Sequence, residues 1–233
     1  MSHLDDFVNQ YYKGLADTVY AKPIPLDSAD TALIIIDAQT SISQEYYTEE
    51  FRHFGMDVQA LKPILDEMGK NLKATLTNIE KVLAACRSKG IRPIHVKIQA
   101  YLKDAKDTGR LHASAGMLSP PGAPGTDFFP EAAPVDGEIV LTKTCSGAHV
   151  GTPIDRILRN LGIKRVIVAG FYTDQCVSTS VRDLSDLGYE VEIIEDAVNA
   201  MSPERHEKAL LGIRKLYANS ETTESLLSRL SKM

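Results

Sequence analysis

Apolar runs of strand length alternate along this chain with stretches whose apolar residues recur every three or four positions. Thr31-Ala32-Leu33-Ile34-Ile35-Ile36 is continuous, shows no polar alternation and ends abruptly at Asp37. Such a run suits a strand covered on both faces, as in a parallel sheet. Ile91 to Ile98, with Pro93 near its start, predicts a second strand, and Ile139-Val140-Leu141 a short third that leads into Lys143. Val166 to Ala169 predicts a fourth; Tyr189, Val191, Ile193 and Ile194 a fifth, ending at Glu195-Asp196; and Leu216-Tyr217-Ala218 a last short one.

Helical periodicity fills the gaps. Val58, Leu61, Leu65, Met68, Leu72, Leu76, Ile79, Leu83 and Cys86 trace one helical face that stops at Gly90. Pro63 fits its first turn, and Gly69 is a place to bend it. Thr152 reads as an N-cap, Pro153 as the first helical residue, Ile154, Ile157, Leu158 and Leu161 as the apolar face, and Gly162 as the stop. A helix from about Thr173 to Leu187 follows the fourth strand, with Val177, Val181, Leu184 and Leu187 inward and Gly188 ending it. Ser202-Pro203-Glu204 caps another, with Ala209, Leu210 and Ile213 inward, and Leu226, Leu227 and Leu230 mark a closing helix. Strand and helix alternate throughout, which predicts a Rossmann-like α/β domain, a three-layer α/β/α sandwich around a mostly parallel sheet of about six strands.

Three stretches lack this pattern. Residues 1–30 begin with a weakly amphipathic piece (Leu4, Phe7, Val8, Tyr11, Tyr12, Leu15), read as a short helix, and continue through an irregular Ala21-Lys22-Pro23-Ile24-Pro25. We expect this extension to pack on the domain or on a neighbouring subunit. Gln39 to Arg52 reads as a polar loop too long for a tight turn. Ala100 to Pro134 is rich in Pro, Gly and Asp, and a loop this long in a compact domain is usually functional or mobile.

Composition narrows the class. With 233 residues, 43% hydrophobic and 24% charged, the chain can bury one sizeable core, and no Pro/Gly/Ser-rich linker divides it, so 1–233 reads as one domain. A net charge of -5 with both signs intermixed argues against nucleic acid as a partner. No window reaches membrane-span length, and Met1-Ser2-His3-Leu4-Asp5-Asp6 lacks a basic region followed by an apolar one. The expectation is a cytoplasmic protein without a membrane partner. Cys86, Cys145 and Cys176 are an odd number without a C-x-x-C pair, which suits reduced thiols.

Three polar residues each follow an apolar strand: Asp37 the first, Lys143 the third and Cys176, shortly after, the fourth. In open α/β sheets ligands bind beyond the carboxyl ends of the strands, so these residues can converge. Taken singly, each has a plainer explanation: a loop cap, a solvated lysine, a small buried cysteine. Jointly, at three strand ends, they favour a site in which Asp37 and Lys143 pair. At the start of a helix the N–H groups and the dipole also favour a Cys176 thiolate. Cys86 lies on an apolar stripe and reads as a core thiol, and Cys145 as a packing residue.

At this point a resemblance enters. Thr31 to Gln39 resembles the opening motif of the isochorismatase-like cysteine hydrolases. The run Lys143 to Ala197 resembles their central block through Lys143, Gly151-Thr152, Asp155, Leu158, Gly162-Ile163, Val168, Gly170, Thr173, Cys176-Val177, Thr179, Arg182-Asp183, Gly188-Tyr189 and Asp196-Ala197. The likeness spans roughly residue 30 to the C-terminus, and is weak over 40–70 and 100–135. It implies a catalytic triad of Asp37, Lys143 and Cys176. It also implies a non-proline cis peptide between Phe171 and Tyr172, with the Tyr172 and Cys176 N–H groups forming an oxyanion hole. Homo-oligomers, dimer or tetramer, are a further implication, with the 40–70 region a candidate to cover a neighbour's pocket.

Departures from the family limit the transfer. Metal-binding nicotinamidases carry an Asp-x-His element after the second strand, whereas this chain has Val96-Lys97-Ile98-Gln99-Ala100, with His95 before it and His112 far along the loop. No ligand cluster of usable spacing results, so no metal and no other cofactor are expected. Ile42, His149, Phe171 and Tyr172 are candidate pocket residues, although a lone histidine such as His149 is more often bonded to backbone. The leading expectation is a cysteine-dependent amidohydrolase acting on a small carboxamide, ureide or carbamoyl compound through a thioester. Its alternatives are a vinyl-ether hydrolase of isochorismatase type that uses the aspartate without the cysteine, and a catalytically silent binding protein on the same scaffold.

Overall fold

The uninterrupted apolar run at Thr31–Ile36 forms β1, buried at every position. Successive side chains of a strand point to opposite faces. Ala32, Ile34 and Ile36 therefore enter one apolar cluster while Leu33 and Ile35 enter the other, and the lack of alternation in sequence is explained by cover on both sides. The computed structural model describes residues 3–19 and 24–233; of the irregular segment expected after the first helix, residues 21–23 lie outside the described residues, and Ile24 is buried.

The other strands are β2 (Arg92–Ile98), β3 (Ile139–Lys143), β4 (Arg165–Phe171), β5 (Glu190–Asn199) and β6 (Asn219–Glu221). All pair in parallel, in the order β3-β2-β1-β4-β5-β6. The helices are α1 (His3–Val19), α2 (Gln44–His53), α3 (Lys62–Ser88), α4 (Arg110–Ser114), α5 (Ile154–Asn160), α6 (Ser178–Asp186), α7 (Pro203–Leu211) and α8 (Thr223–Leu230). Leu76, Ile79, Val82 and Leu83 of α3 and Leu226 and Leu230 of α8 pack on one face of the sheet. Ile154 and Leu158 of α5, Val181 and Leu184 of α6 and Leu210 of α7 pack on the other. This is the expected three-layer α/β/α sandwich. Among the described residues no helix is long and apolar enough to cross a membrane.

The strand order reverses between β1 and β4, which opens a crevice beyond their carboxyl ends. Gly170 permits the close approach of these two strands there. Its φ is 122°, and a Cβ at that position would lie 2.0 Å from the Ile36 carbonyl oxygen. The Phe171–Tyr172 peptide that follows is cis.

Several boundaries differ from the periodicity. The final strand is Asn219–Glu221 rather than 216–218, because Lys215 (φ 68°) turns the chain and Ala218 bridges back to Arg214. The strand itself is polar, as an edge allows, so a search for apolar runs passes it by. β5 continues through an irregularity past Glu195-Asp196 to Asn199. Glu195 pairs with Arg214, and Asp196 accepts hydrogen bonds from the Thr223 N–H and hydroxyl at the start of α8. At the start of α5, Thr152 Oγ1 accepts from the Ile154 N–H at 3.3 Å, while Pro153 occupies the cap position.

Candidate active site

The ends of three strands meet at the crevice. Asp37 follows β1 in the left-handed region (φ 51°), a conformation that aspartate tolerates better than most side chains, and its N–H donates to the Val96 carbonyl at 2.8 Å. Lys143, the last residue of β3, is completely buried. Its ammonium donates to Asp37 Oδ2 at 2.7 Å, to the Cys145 carbonyl at 3.0 Å and to Cys176 Sγ at 3.5 Å. The three residues singled out from strand ends thus touch at one point.

Cys176 stands in a wide helical turn, Thr173–Val177, broken at Gln175 (φ -128°, ψ -105°), and α6 begins only after it. Ser180 ties this turn to the loop beyond Lys143: its hydroxyl donates to the Cys176 carbonyl at 2.7 Å and accepts from the Ala148 N–H at 3.0 Å. On the outer side, Thr173 Oγ1 bonds His206 Nδ1 at 2.9 Å, and Arg205 pairs with Asp174.

Burial sets the resting protonation. It pushes the Cys176 thiol up to about 12, assisted by Asp37 and opposed by Lys143. The helix-start argument for a resting thiolate therefore loses to desolvation: the cysteine is almost entirely buried, and it precedes the regular helix. Burial likewise raises Asp37 above its ordinary value, against the lowering effect of Lys143. For Lys143, burial acts downward, but the charges of Asp37 and Cys176 outweigh it and hold the ammonium above its ordinary value. Asp37 Oδ1 is buried without a hydrogen-bond partner, which leaves it as an acceptor for a proton. A thiol, a carboxylate acceptor and a fixed cation in contact are the parts needed to make a thiolate on demand.

Asp37 and Cys176 open onto a cavity of about 330 Å³ lined also by Gln39, Ile42, His112, Phe171 and Tyr172, with Tyr46, Tyr47, Glu50 and Phe51 of α2 forming one wall. Tyr47 and Tyr172 share a hydrogen bond between their hydroxyls at 2.6 Å, which fastens α2 to the residue beside the cysteine turn. Burial raises the pKa of both phenols, that of Tyr47 to about 12, so both remain neutral. Gln39 anchors the floor: its Nε2 donates to the Ile98 and Thr126 carbonyls, and its Oε1 accepts from the Ile98 N–H at 2.7 Å.

Residues 31–225 match the family model for the isochorismatase domain, which covers most of the chain. The chain belongs to the isochorismatase family. The family protein YwoC of Bacillus subtilis, itself uncharacterized, is 35% identical over 205 residues, covering 88% of this chain and 96% of that protein. The ureidoacrylate amidohydrolase RutB of Agrobacterium fabrum is 27% identical over 205 residues, covering 81% and 84%. Among solved structures, a cysteine hydrolase from Pseudomonas syringae pv. phaseolicola superposes with a TM-score of 0.73 at 21% identity, covering 91% of this chain and 99% of that one. That last likeness is one of fold.

Within this family member the pocket candidates separate. Ile42, Phe171 and Tyr172 line the cavity, whereas His149 is not among its lining residues and has Asp183 at 3.9 Å. Cys145 turns its Sγ toward the Val150 carbonyl at 2.9 Å. Cys86 is fully buried in the α3 cluster and its thiol is pushed up to about 12 by burial. Two sets of residues escaped the sequence. The wall residues of α2 lie in a stretch read as loop, although Ser43 caps that helix by accepting from the Tyr46 N–H. His112, on the short α4 inside the long loop, is buried with Nδ1 unpartnered and Nε2 3.3 Å from the Ser146 hydroxyl. Burial and the nearby Lys143 lower its pKa, so it stands in the cavity as a neutral imidazole. The only sequence signal for it was the length of the loop.

Proposed function

We propose that the protein is a cysteine-dependent amidohydrolase that cleaves a small carboxamide, ureide or carbamoyl compound through a thioester. The observation that carries this is the Lys143 ammonium, 2.7 Å from Asp37 Oδ2 and 3.5 Å from Cys176 Sγ, behind a cavity that Asp37 and Cys176 line. The activity named for the RutB relative, cleavage of an amide, agrees with it.

In this mechanism Asp37 takes the proton of the Cys176 thiol as the sulfur attacks the carbonyl carbon. Lys143 stays protonated and stabilises first the thiolate and then, once the sulfur has attacked, the negative charge of the tetrahedral adduct. The carbonyl oxygen becomes the oxyanion, for which the Tyr172 and Cys176 N–H groups are the proposed donors. Asp37 returns the proton to the departing nitrogen, the C–N bond breaks, and ammonia or a small amine leaves a thioester on Cys176. Asp37 then takes a proton from water, hydroxide adds to the thioester, and the acid and the free thiol are released. Each step moves one proton through Asp37, and no oxidant or reductant enters.

The test is ammonia release from a panel of small amides, ureides and carbamoyl compounds, wild type against Cys176→Ala. Turnover by the wild type that disappears in the variant is expected; equal turnover in both would remove the cysteine from the reaction. The proposal extends to a second copy of the chain as partner. Leu4, Phe7 and Tyr11 on α1 are each more than half exposed, apolar surface of the kind a second copy could cover. A monomer in light scattering would remove that part.

A further inference from the structure

Building on the amide-hydrolase reading, we propose that the acyl portion of the substrate carries an organic cation, seated between Glu50 and the aromatic side chains of α2, and no carboxylate. The charges around the cavity point that way. Its charged lining residues are Asp37 and Glu50, and no arginine or lysine lines it among the described residues. Asp37 is matched by the buried Lys143. Glu50 has no such partner among the described residues: the neighbouring Arg52 pairs with Glu49 instead. A half-buried carboxylate on a cavity wall, with its charge unmet, favours a cationic guest and repels an anionic one.

The wall around Glu50 suits a cation in a second way. Tyr46, Tyr47 and Phe51 stand on the same side of α2, with the Tyr47 and Phe51 rings stacked at 5.6 Å. Ring faces attract alkylammonium and guanidinium groups, and more so where water is partly excluded. The surface beside the cavity has the same sign. An open groove shares Tyr46 and Glu50 with the cavity and adds Glu45 and Glu49, the latter already paired with Arg52, and no lysine or arginine lines it among the described residues. Acidic residues beside a cavity raise the local concentration of cations there.

A carboxylate-bearing substrate would find no counter-charge. Lys143 is the cation nearest the reacting sulfur, and its ammonium is already engaged by Asp37, the Cys145 carbonyl and Cys176. His112 stands in the cavity as a neutral ring. Ureidoacrylate, named for a relative at 27% identity, bears a carboxylate and is therefore a poor model for this chain's substrate.

Binding to Cys176→Ala, measured by calorimetry, separates this inference from the reaction itself. The probes are 4-(ω-aminoalkyl)benzamides with one to four methylenes, each compared with its uncharged alkyl isostere and its ω-carboxylate. The best ammonium amide is expected to bind about tenfold tighter than its isostere, and the carboxylate more weakly than either. Adding Glu50→Gln should erase the ammonium advantage while leaving the neutral amide within about twofold, which also reports an intact fold. An equal or better carboxylate, an advantage that survives Glu50→Gln, or no binding of any ammonium amide would overturn the inference. Ammonia release by the wild type on the same compounds distinguishes the two layers. Tight cation binding without any hydrolysis counts against the amidohydrolase and leaves the cation site standing. Cysteine-dependent hydrolysis that favours the carboxylates does the reverse.

Discussion

Replacing Lys143 with methionine keeps an unbranched apolar stem and removes an ammonium lying 2.7 Å from Asp37 Oδ2 in a fully buried position. The carboxylate left behind has no other ion-pair partner among the described residues. Breaking a buried pair from one side costs about 3–5 kcal/mol, because the surviving charge is stranded. In a chain of this size each kcal/mol moves the melting midpoint by roughly 2–4 °C, so Lys143→Met should melt about 6–20 °C lower. Asp37→Asn in the same chain removes the stranded charge, and asparagine also tolerates the left-handed backbone at that position. The double variant should therefore regain stability to within about 2 kcal/mol of wild type, or exceed it, and should have no turnover. Urea and thermal denaturation of the four proteins, with ammonia release from a common amide, complete the cycle. A Lys143→Met variant as stable as wild type, or a double variant no more stable than that single one, would refute the buried-pair reasoning.

Other consequences follow from separate parts of the molecule. Glu138 accepts from Arg87 Nε and Nη2, each at 2.7 Å, and lies 2.9 Å from His95. Burial acts to raise its carboxyl, but Arg87, the Val135 N–H and His95 outweigh it and hold the group at about 2. Against an ordinary 4.5 this is worth roughly 3 kcal/mol. The folded value is depressed, so the contribution is present above pH 4.5 and is lost as pH falls through about 2. Glu138→Gln should be destabilised at pH 7 and show a flatter acid limb in urea titrations; an unchanged limb would contradict the sign. Gly170→Ala places a methyl 2.0 Å from the Ile36 carbonyl oxygen and should cost upwards of about 3 kcal/mol or prevent folding, read by circular dichroism and melting. Tyr47→Phe keeps the stack on Phe51 but leaves the Tyr172 hydroxyl without its partner; a loss of about 1–3 kcal/mol and a raised KM are expected. The activity of the wild type should rise with pH through a limb above 3.8, the ordinary aspartate value, because burial raises Asp37 and the base must be ionised. In Lys143→Met that limb should move further up.

The sheet was legible because burial on both faces demands unbroken apolar runs, and β1 and β4 obey that demand at nearly every position. The polar residue after each such run was equally legible, which is how Asp37, Lys143 and Cys176 came into view together. What escaped has a common physical origin. The edge strand β6 buries little and can be polar, so no apolar run marks it. Helix α2 has no buried residue; its aromatic side faces a cavity rather than a core, so its periodicity is weak. His112 was hidden because a loop delivers it, and only the fold brings a residue so far from Lys143 within reach of its charge. The thiol's protonation was misjudged for a related reason: a helix-start argument counts backbone dipoles, while burial depends on everything packed around the sulfur.

The central claim is a covalent one, that the acyl group rests on Cys176 between loss of the amine and arrival of water. Acid-quenching the enzyme within milliseconds of mixing with an amide it turns over, followed by mass spectrometry of the digested protein, measures this directly. The account predicts an acyl adduct on the peptide containing Cys176, formed at a rate no slower than turnover and absent in Cys176→Ala. Undiminished ammonia release by the Cys176→Ala variant, or an adduct confined to another residue, would contradict it.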